Sequence, residues 1–166
     1  MINRFFPYFF SRWSYDTGFK MVGDHQVPSE SVYQSEMSRV ISRWFITKSW
    51  KCSSNVRSKE DGGVRLDLML FRTPEAKKRI GFKLTASSNA ADIMKHAERR
   101  YKEALKLEQY VIINFTAREG TATDFLEHQG VPIYHVVHNQ AFDDVKIHYR
   151  GATGQKETVQ VISPPK

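Results

Sequence analysis

Residues 64–71 read VRLDLMLF, and residues 78–85 read KRIGFKLT. In both stretches apolar residues recur at every second position, which is the period of a β-strand buried on at least one face. The residues between them contain Thr73-Pro74, a dipeptide typical of a turn. We therefore predict two neighbouring strands, each with a charged residue, Asp67 or Lys83, near its middle.

The period of two also assigns side chains to faces. In residues 64–71 it places every leucine on one face and Asp67 on the other. In residues 78–85 it places Gly81 and Lys83 on the same face. If the two strands pair in the register that this pattern favours, Lys83 lies beside Asp67.

The residues on either side predict six further elements from their hydrophobic period and their capping residues. These are a helix from Ser29 or Ser31 to about Phe45, a strand over residues 47–56, a helix from Ser88 or Asn89 to about Glu108, and strands over residues 110–115, 131–137 and 145–149. The predicted order is helix, three strands, helix, strand and then a smaller strand pair.

The length of 166 residues and the apolar fraction of 40% fit one folded domain, which we place at residues 29–150. Residues 1–28 are predicted to form an aromatic-rich arm without regular period, and residues 151–166 a C-terminal tail. The aromatic arm can pack on the body of the domain, join a homodimer, or stack on bases.

Several classes of protein are excluded by the composition. The single cysteine, Cys52, cannot form an internal disulfide, and no Cys/His group has zinc-ligand spacing. The longest apolar runs, such as residues 110–115, are far shorter than the about 20 residues that cross a bilayer. We expect an intracellular protein, cytoplasmic or nuclear.

The net charge of +7 indicates a polyanionic partner. Residues 77–106 carry nine lysines and arginines against three acids, so most of the excess lies in one part of the chain. Nucleic acid is the partner that we expect, DNA in preference to RNA, with no membrane association.

The predicted order αβββαβ resembles the common core of the PD-(D/E)XK nuclease superfamily. Residues 63–67, GVRLD, look like the family's glycine-x-hydrophobic-Asp motif on the second strand. Gly81-Phe82-Lys83 stands where the third strand of the family carries acid-x-Lys. The resemblance implies an α/β fold, with a mixed central sheet, helices on both faces and a small extra strand pair.

In that family an acid on the first helix, the second-strand Asp and the third-strand motif converge on Mg²⁺. The ion polarises the scissile phosphate and lowers the pKa of the attacking water. The resemblance implies Glu36 and Asp67 as metal ligands and catalytic residues, with Lys83 stabilising the developing charge. Gly81 departs from the pattern, because the family has an acid at this position.

A narrower resemblance covers roughly residues 30 to 140. Tyr33-Gln34, Glu36 and residues 63–67, followed by His96, Arg100 and Tyr101 before residues 110–115, resemble the nuclease-like C-terminal domains of Crinkler-type fungal and oomycete proteins. That resemblance implies action in a host nucleus.

Four residues are candidates for phosphate contacts: Arg65, His96, Arg99 and Arg100. His96 and Arg100 are four residues apart and share a helix face, so they can grip one phosphate, although a solvated basic face has the same pattern. Asp67 can equally be a structural carboxylate paired with Arg65 or Lys83.

Two further site residues also have ordinary structural explanations. Glu36 can be a solvated residue near Arg39 or Arg43, and Lys83 can extend its ammonium group to water.

Three functions follow from these observations. The first is a nucleic-acid-binding, Mg²⁺-dependent phosphodiesterase with a degenerate site. The second is a nuclease fold that has lost catalysis and serves as a binding module, which Gly81 favours. The third is a structural protein that acts through protein contacts or dimerisation.

Overall fold

The structure is a computed structural model of the chain, and it describes residues 19–22, 25–45, 50–58, 64–72, 78–98, 101–117, 119–140 and 142–162. The helices are α1 (Glu30–Phe45), α2 (Ala90–Ala97) and α3 (Tyr101–Ala104), with a 3₁₀ helix at Thr121–Asp124. The strands are β1 (Phe19–Val22), β2 (His25–Pro28), β3 (Trp50–Arg57), β4 (Arg65–Arg72), β5 (Arg79–Thr85), β6 (Gln109–Thr116), β7 (Glu127–His128), β8 (Val131–His138), β9 (Val145–Arg150) and β10 (Lys156–Ile162).

Eight of these strands form one mixed sheet, so the predicted α/β class with a mixed central sheet is confirmed. The strand order is β10-β9-β8-β6-β5-β4-β3, and β7 pairs with β8 outside this path. Strands β5, β6 and β8 are parallel to one another, and the other pairs in the sheet are antiparallel. Strands β1 and β2 form a separate antiparallel hairpin.

The predicted first helix and the strands that become β3 to β6, β8 and β9 are confirmed, with ends displaced by at most three residues. The predicted cap of the next helix is also present, because the Asn89 side chain accepts a hydrogen bond from the Ala91 N–H at 2.9 Å.

Three predictions about regular structure were wrong. The helix predicted to reach Glu108 ends at Ala97, and the chain leaves α3 at Lys106, whose φ of 53° is left-handed. There the Leu107 N–H closes the turn on the Lys102 carbonyl at 2.8 Å. Most of the predicted tail is strand β10, which pairs with β9, and residues 19–28 of the predicted irregular arm hold β1 and β2.

The apolar residues divide into two clusters. The first packs the α1 residues Tyr33, Met37 and Ile41 with Leu68, Leu70, Phe82, Leu84, Val111, Ile113 and Phe115 of the sheet. The second packs Ile93, Ala97, Tyr101, Leu105 and Leu107 from the α2–α3 segment with Leu66, Tyr110, Ile112 and Ile133. Burial of these two groups from water is the main stabilising term that the fold provides.

The prediction that all leucines of β4 share one face was wrong. Leu66 belongs to the second cluster, whereas Leu68 and Leu70 belong to the first, so the alternation is interrupted at Asp67. The partner position on β3 is Asn55, which has a left-handed φ of 55°. Because a strand residue in that conformation redirects the chain, the faces of both strands exchange at this point.

Gly81 of β5 packs against two leucines of the second cluster, Leu66 and Leu107. A β-carbon at this position would be 2.5 Å from Leu107 Cδ1 and 2.9 Å from Leu66 Cδ2, distances shorter than van der Waals contact. The space that a side chain would need at position 81 is therefore filled by two leucines of the core.

We predict that Gly81→Ala lowers the free energy of unfolding by about 1–3 kcal/mol, because it overpacks this site. Urea denaturation measures the change. Gly120→Ala is the matched control, since nothing lies within 4 Å of a β-carbon there, and we expect a change within about 0.5 kcal/mol. Leu107→Val should lower the free energy of unfolding less in the Gly81→Ala background than in the wild type, because it removes the atom that the added methyl group would meet. Equal stability of Gly81→Ala and the wild type would contradict the tight packing at Gly81.

Candidate functional site

The two charged residues predicted in the middle of the central strands form a buried ion pair. The register of β4 and β5 pairs Leu68 with Phe82, which places Asp67 across from Lys83. Lys83 Nζ donates to Asp67 Oδ2 at 2.7 Å, and the two side chains are only 11% and 10% exposed. The Leu84 N–H donates to the same oxygen at 2.8 Å. The prediction that Lys83 lies beside Asp67 is confirmed.

Two polar side chains beside this pair have other partners than its charged groups. From α1, Gln34 Nε2 donates to the backbone carbonyl of Asp67 at 3.1 Å. From β4 itself, the Arg65 guanidinium donates to Asn55 Oδ1 through Nε, at 3.0 Å, and through Nη2. Helix α1 therefore reaches the centre of β4 through an amide, and Arg65 points to Asn55 rather than to Asp67.

Glu36, the predicted acid of the first helix, is engaged on the surface. Its Oε2 accepts from the Arg39 side chain at 2.6 Å and 3.0 Å, and Arg39 is exposed. No hydrogen bond or ion pair within the described residues joins Glu36 to Asp67 or Lys83. The structure thus brings Asp67 and Lys83 together, while Glu36 forms the i, i+3 pair expected of an ordinary surface glutamate.

A Mg²⁺ ion does not fit this set of side chains. Mg²⁺ binds through carboxylate oxygens in near-ideal octahedral geometry. One oxygen of Asp67 already accepts from Lys83 and Leu84, the Glu36 carboxylate pairs with Arg39, and Gly81 supplies no ligand. Within the described ranges, no three His, Cys, Asp or Glu side chains are grouped so as to hold a metal ion.

Of the four predicted phosphate-contacting residues, the structure describes Arg65 and His96. Arg65 is exposed on β4. His96 is half-buried and lines a cleft of about 320 Å³ at the end of β5, together with Thr85, Ser87, Asp92 and Lys95. Arg99 and Arg100 lie outside the described residues, so a joint grip of His96 and Arg100 on one phosphate stays a prediction.

A buried polar row at the carboxyl ends of β5, β6 and β8 was missed by the sequence reasoning. Asn114 Oδ1 accepts from Thr85 Oγ1 at 2.7 Å and from the Ser87 N–H at 3.0 Å. Asn114 Nδ2 donates to the Ser87 carbonyl at 2.9 Å and lies 3.3 Å from His135 Nδ1. His135 Nε2 lies 2.8 Å from the Phe125 carbonyl, so this nitrogen carries the proton. An asparagine inside an apolar strand was the signal that could have found this row.

A second buried histidine joins α1 to β8. The Tyr33 hydroxyl lies 2.8 Å from His138 Nε2, and His138 Nδ1 lies 2.9 Å from the Asn139 carbonyl. Because a carbonyl only accepts, Nδ1 carries the proton and Nε2 accepts from Tyr33. Burial of the ring lowers the pKa of His138 from 6.5 to about 4.

Comparison with protein-family models, curated proteins and solved structures finds no match to this chain. None of the helices in the described part of the chain is long and apolar enough to cross a membrane.

We predict that Lys83→Met destabilises the protein by about 3–5 kcal/mol, because it leaves the buried Asp67 carboxylate without its cation. Asp67→Leu should have a similar cost for the converse reason. The double variant should be destabilised clearly less than the sum of the two single variants, since no buried charge is left unpaired.

Chemical denaturation of the four proteins measures this coupling. Lys95→Met is the control, because Lys95 is 70% exposed in a surface pair with Asp92, and we expect a change within about 0.5 kcal/mol. Simple additivity of Lys83→Met and Asp67→Leu would contradict a direct pair.

We also predict a decrease in stability on acidification that depends on His138. Its pKa is lower in the folded protein than in the unfolded chain, so the unfolded chain binds the proton first as the pH falls. As the pH falls from 6.5 to about 4, this residue should lower the free energy of unfolding by about 1.4 kcal/mol for each pH unit. The measurement is the urea midpoint at several pH values.

His138→Gln tests the assignment, because its amide oxygen can still accept from Tyr33 but cannot titrate. The variant should show a flatter pH profile. Some slope should persist, because burial also lowers the pKa of His135 and of His148. A profile as steep as that of the wild type would show that another group dominates.

Proposed function

We propose that the protein is a nucleic-acid-binding domain with a PD-(D/E)XK-like core in which metal-dependent hydrolysis is absent. The observation that carries this proposal is the buried pair of Asp67 and Lys83 on neighbouring central strands. These are the two residues that the resemblance assigns to the second-strand and third-strand motifs.

The order and direction of the elements support the same core. Helix α1 is followed by the antiparallel strands β3, β4 and β5, then by α2 and α3, and then by β6, which is parallel to β5. This is the αβββαβ order of the superfamily, with β8, β9 and β10 added beyond β6.

The packing supports helices on both faces of this core. Val111 and Ile113 of β6 pack in the cluster of α1, whereas Tyr110 and Ile112 pack in the cluster of α2 and α3. Because successive strand residues point to opposite faces, we infer that α1 covers one face and the α2–α3 segment covers the other.

The set of side chains at the site supports the proposed absence of hydrolysis. Position 81, where the family has an acid, holds a glycine whose side-chain space is taken by Leu66 and Leu107. An acid there would have to displace core leucines and would bury a further carboxylate. Asp67 and Lys83 neutralise each other, so the pair stabilises the centre of the sheet and leaves no second acid of the described residues beside it to complete a metal site.

The net charge supports the proposed binding of nucleic acid. The chain carries a net charge of +7, which attracts a polyanion at long range. Contacts from lysine and arginine to phosphates release counterions, so such binding weakens steeply as the salt concentration rises. We therefore expect retention without cleavage, on DNA in preference to RNA.

The test is incubation of the purified protein with labelled single-stranded and double-stranded DNA and RNA. Each is tested with Mg²⁺, with Mn²⁺ and with a chelator, and both cleavage and retention are scored. We predict salt-sensitive retention that does not require a divalent metal and persists in the chelator, and no cleavage.

Other outcomes contradict the proposal in distinguishable ways. Metal-dependent cleavage that disappears in Asp67→Asn, with the variant folded by circular dichroism, would favour an active phosphodiesterase. If the protein shows no retention and no cleavage, a structural or protein-binding role is favoured.

A further inference from the structure

Four exposed cations lie on the hairpin formed by β3 and β4. They are Lys51, Arg57, Arg65 and Arg72. The one acidic residue in these two strands is Asp67, which is buried against Lys83. We call these two strands with their four exposed cations the β3–β4 edge, since β3 ends the strand order of the sheet.

The opposite edge of the sheet has a different charge balance. There Lys146 pairs with Glu119 at 3.5 Å, Arg150 with Glu127 at 2.7 Å, and Lys156 with Asp124 at 2.7 Å. Within the part of the chain that the structure describes, no cation of the β3–β4 edge has an acidic partner. The uncompensated positive charge of the sheet is therefore concentrated at one edge.

Two of these cations face each other directly. The register pairs Arg57 with Arg65, and like charges in opposite positions on neighbouring strands reduce stability. The Arg65 guanidinium is fixed by two hydrogen bonds to Asn55, so it cannot turn far from its neighbour. Such an arrangement is unfavourable in isolation and becomes favourable when an anion lies against both guanidinium groups.

The other two cations lie at the far end of the same hairpin. The register pairs Lys51 with Phe71 and Trp50 with Arg72, so Lys51 and Arg72 are on adjacent rungs and point to opposite faces of the sheet. Arg65 and Arg72 are the first and last residues of β4, and the exchange of faces at Asp67 places both on the side of the first cluster. At about 3.3 Å per residue they are about 23 Å apart along the strand. Each strand of a duplex has one phosphate for about 3.4 Å of helix axis, so an edge that lies along this axis spans about seven nucleotides of one strand.

We propose that the β3–β4 edge binds the phosphate backbone of nucleic acid through its three arginines, with Arg57 and Arg65 at one end and Arg72 at the other. The inference rests on the proposed function and locates its binding surface. Arginine suits this contact, because its planar guanidinium donates two parallel hydrogen bonds to a phosphate. The edge binds the backbone and carries no recognition of base sequence.

The test compares two triple variants of the full chain that remove the same net charge. Arg57→Gln, Arg65→Gln and Arg72→Gln remove cations from the β3–β4 edge. Lys146→Gln, Arg150→Gln and Lys156→Gln remove three from the opposite edge. Binding to a labelled 20-base-pair DNA duplex, a length of about two helical turns, is measured by fluorescence anisotropy over a range of salt concentrations. Circular dichroism first establishes that both variants are folded.

We expect the β3–β4 variant to bind at least about 10-fold more weakly than the wild type. The slope of its affinity against salt concentration, both on logarithmic scales, should be shallower by about 0.9 for each phosphate that the variant no longer neutralises. The opposite-edge variant should stay within about 3-fold of the wild type, because its cations are already paired with acids.

The outcomes separate this inference from the function on which it rests. If the wild type binds and both variants are weakened equally, the β3–β4 edge is not the binding surface, and the proposed function stands. If the wild type fails to bind any nucleic acid, the proposed function fails first. Binding to vesicles that contain anionic lipid, with none to the duplex, would overturn both in favour of a membrane surface.

Discussion

The buried ion pair between Asp67 and Lys83 constrains how the two central strands β4 and β5 can pair. Both charges are almost fully removed from water, so each is tolerated only because the other lies 2.7 Å away. The pair fixes the register of β4 against β5, since a slip by one residue would place both charges against apolar side chains. Because β5 is also the parallel partner of β6, the same constraint extends to the second half of the sheet.

The interrupted alternation at Asp67 and the glycine at position 81 have one structural cause. Where Asn55 takes a left-handed conformation, Leu66 turns into the cluster that contains Leu107. These two leucines occupy the volume beside Gly81 that a side chain would need. The residue that departs from the nuclease pattern is therefore part of the packing of the core, and an acid there would require that packing to change.

Much of this could be predicted from the sequence because it depends on local period. Strands β4, β5 and β6, the cap at Asn89 and the proximity of Lys83 to Asp67 all follow from residues that alternate or cap within a short window. The rest depends on distant partners. No residue near Leu66 in the chain indicates that its side chain points to the opposite face from Leu68 and Leu70. No residue near Glu36 decides whether its carboxylate pairs with Arg39 or points toward the sheet. Likewise β10 is stabilised by β9, and Asn114 by Thr85 and His135.

The distribution of charge connects this packing to the surface. The lysine of the central pair is neutralised in the core, and the cations of β9 and β10 are neutralised by acids from other segments. The cations of β3 and β4 lack such partners in the described chain, and Asn55, which causes the exchange of faces, also holds Arg65 in place. The left-handed conformation of Asn55 thus goes together with two effects: Leu66 packs in the second cluster, and the exposed Arg65 guanidinium is held by the Asn55 side chain. A change at Asn55 or at Asp67, its neighbour across the hairpin, would therefore affect both the packing of Leu66 in the core and the position of Arg65 at the candidate binding edge.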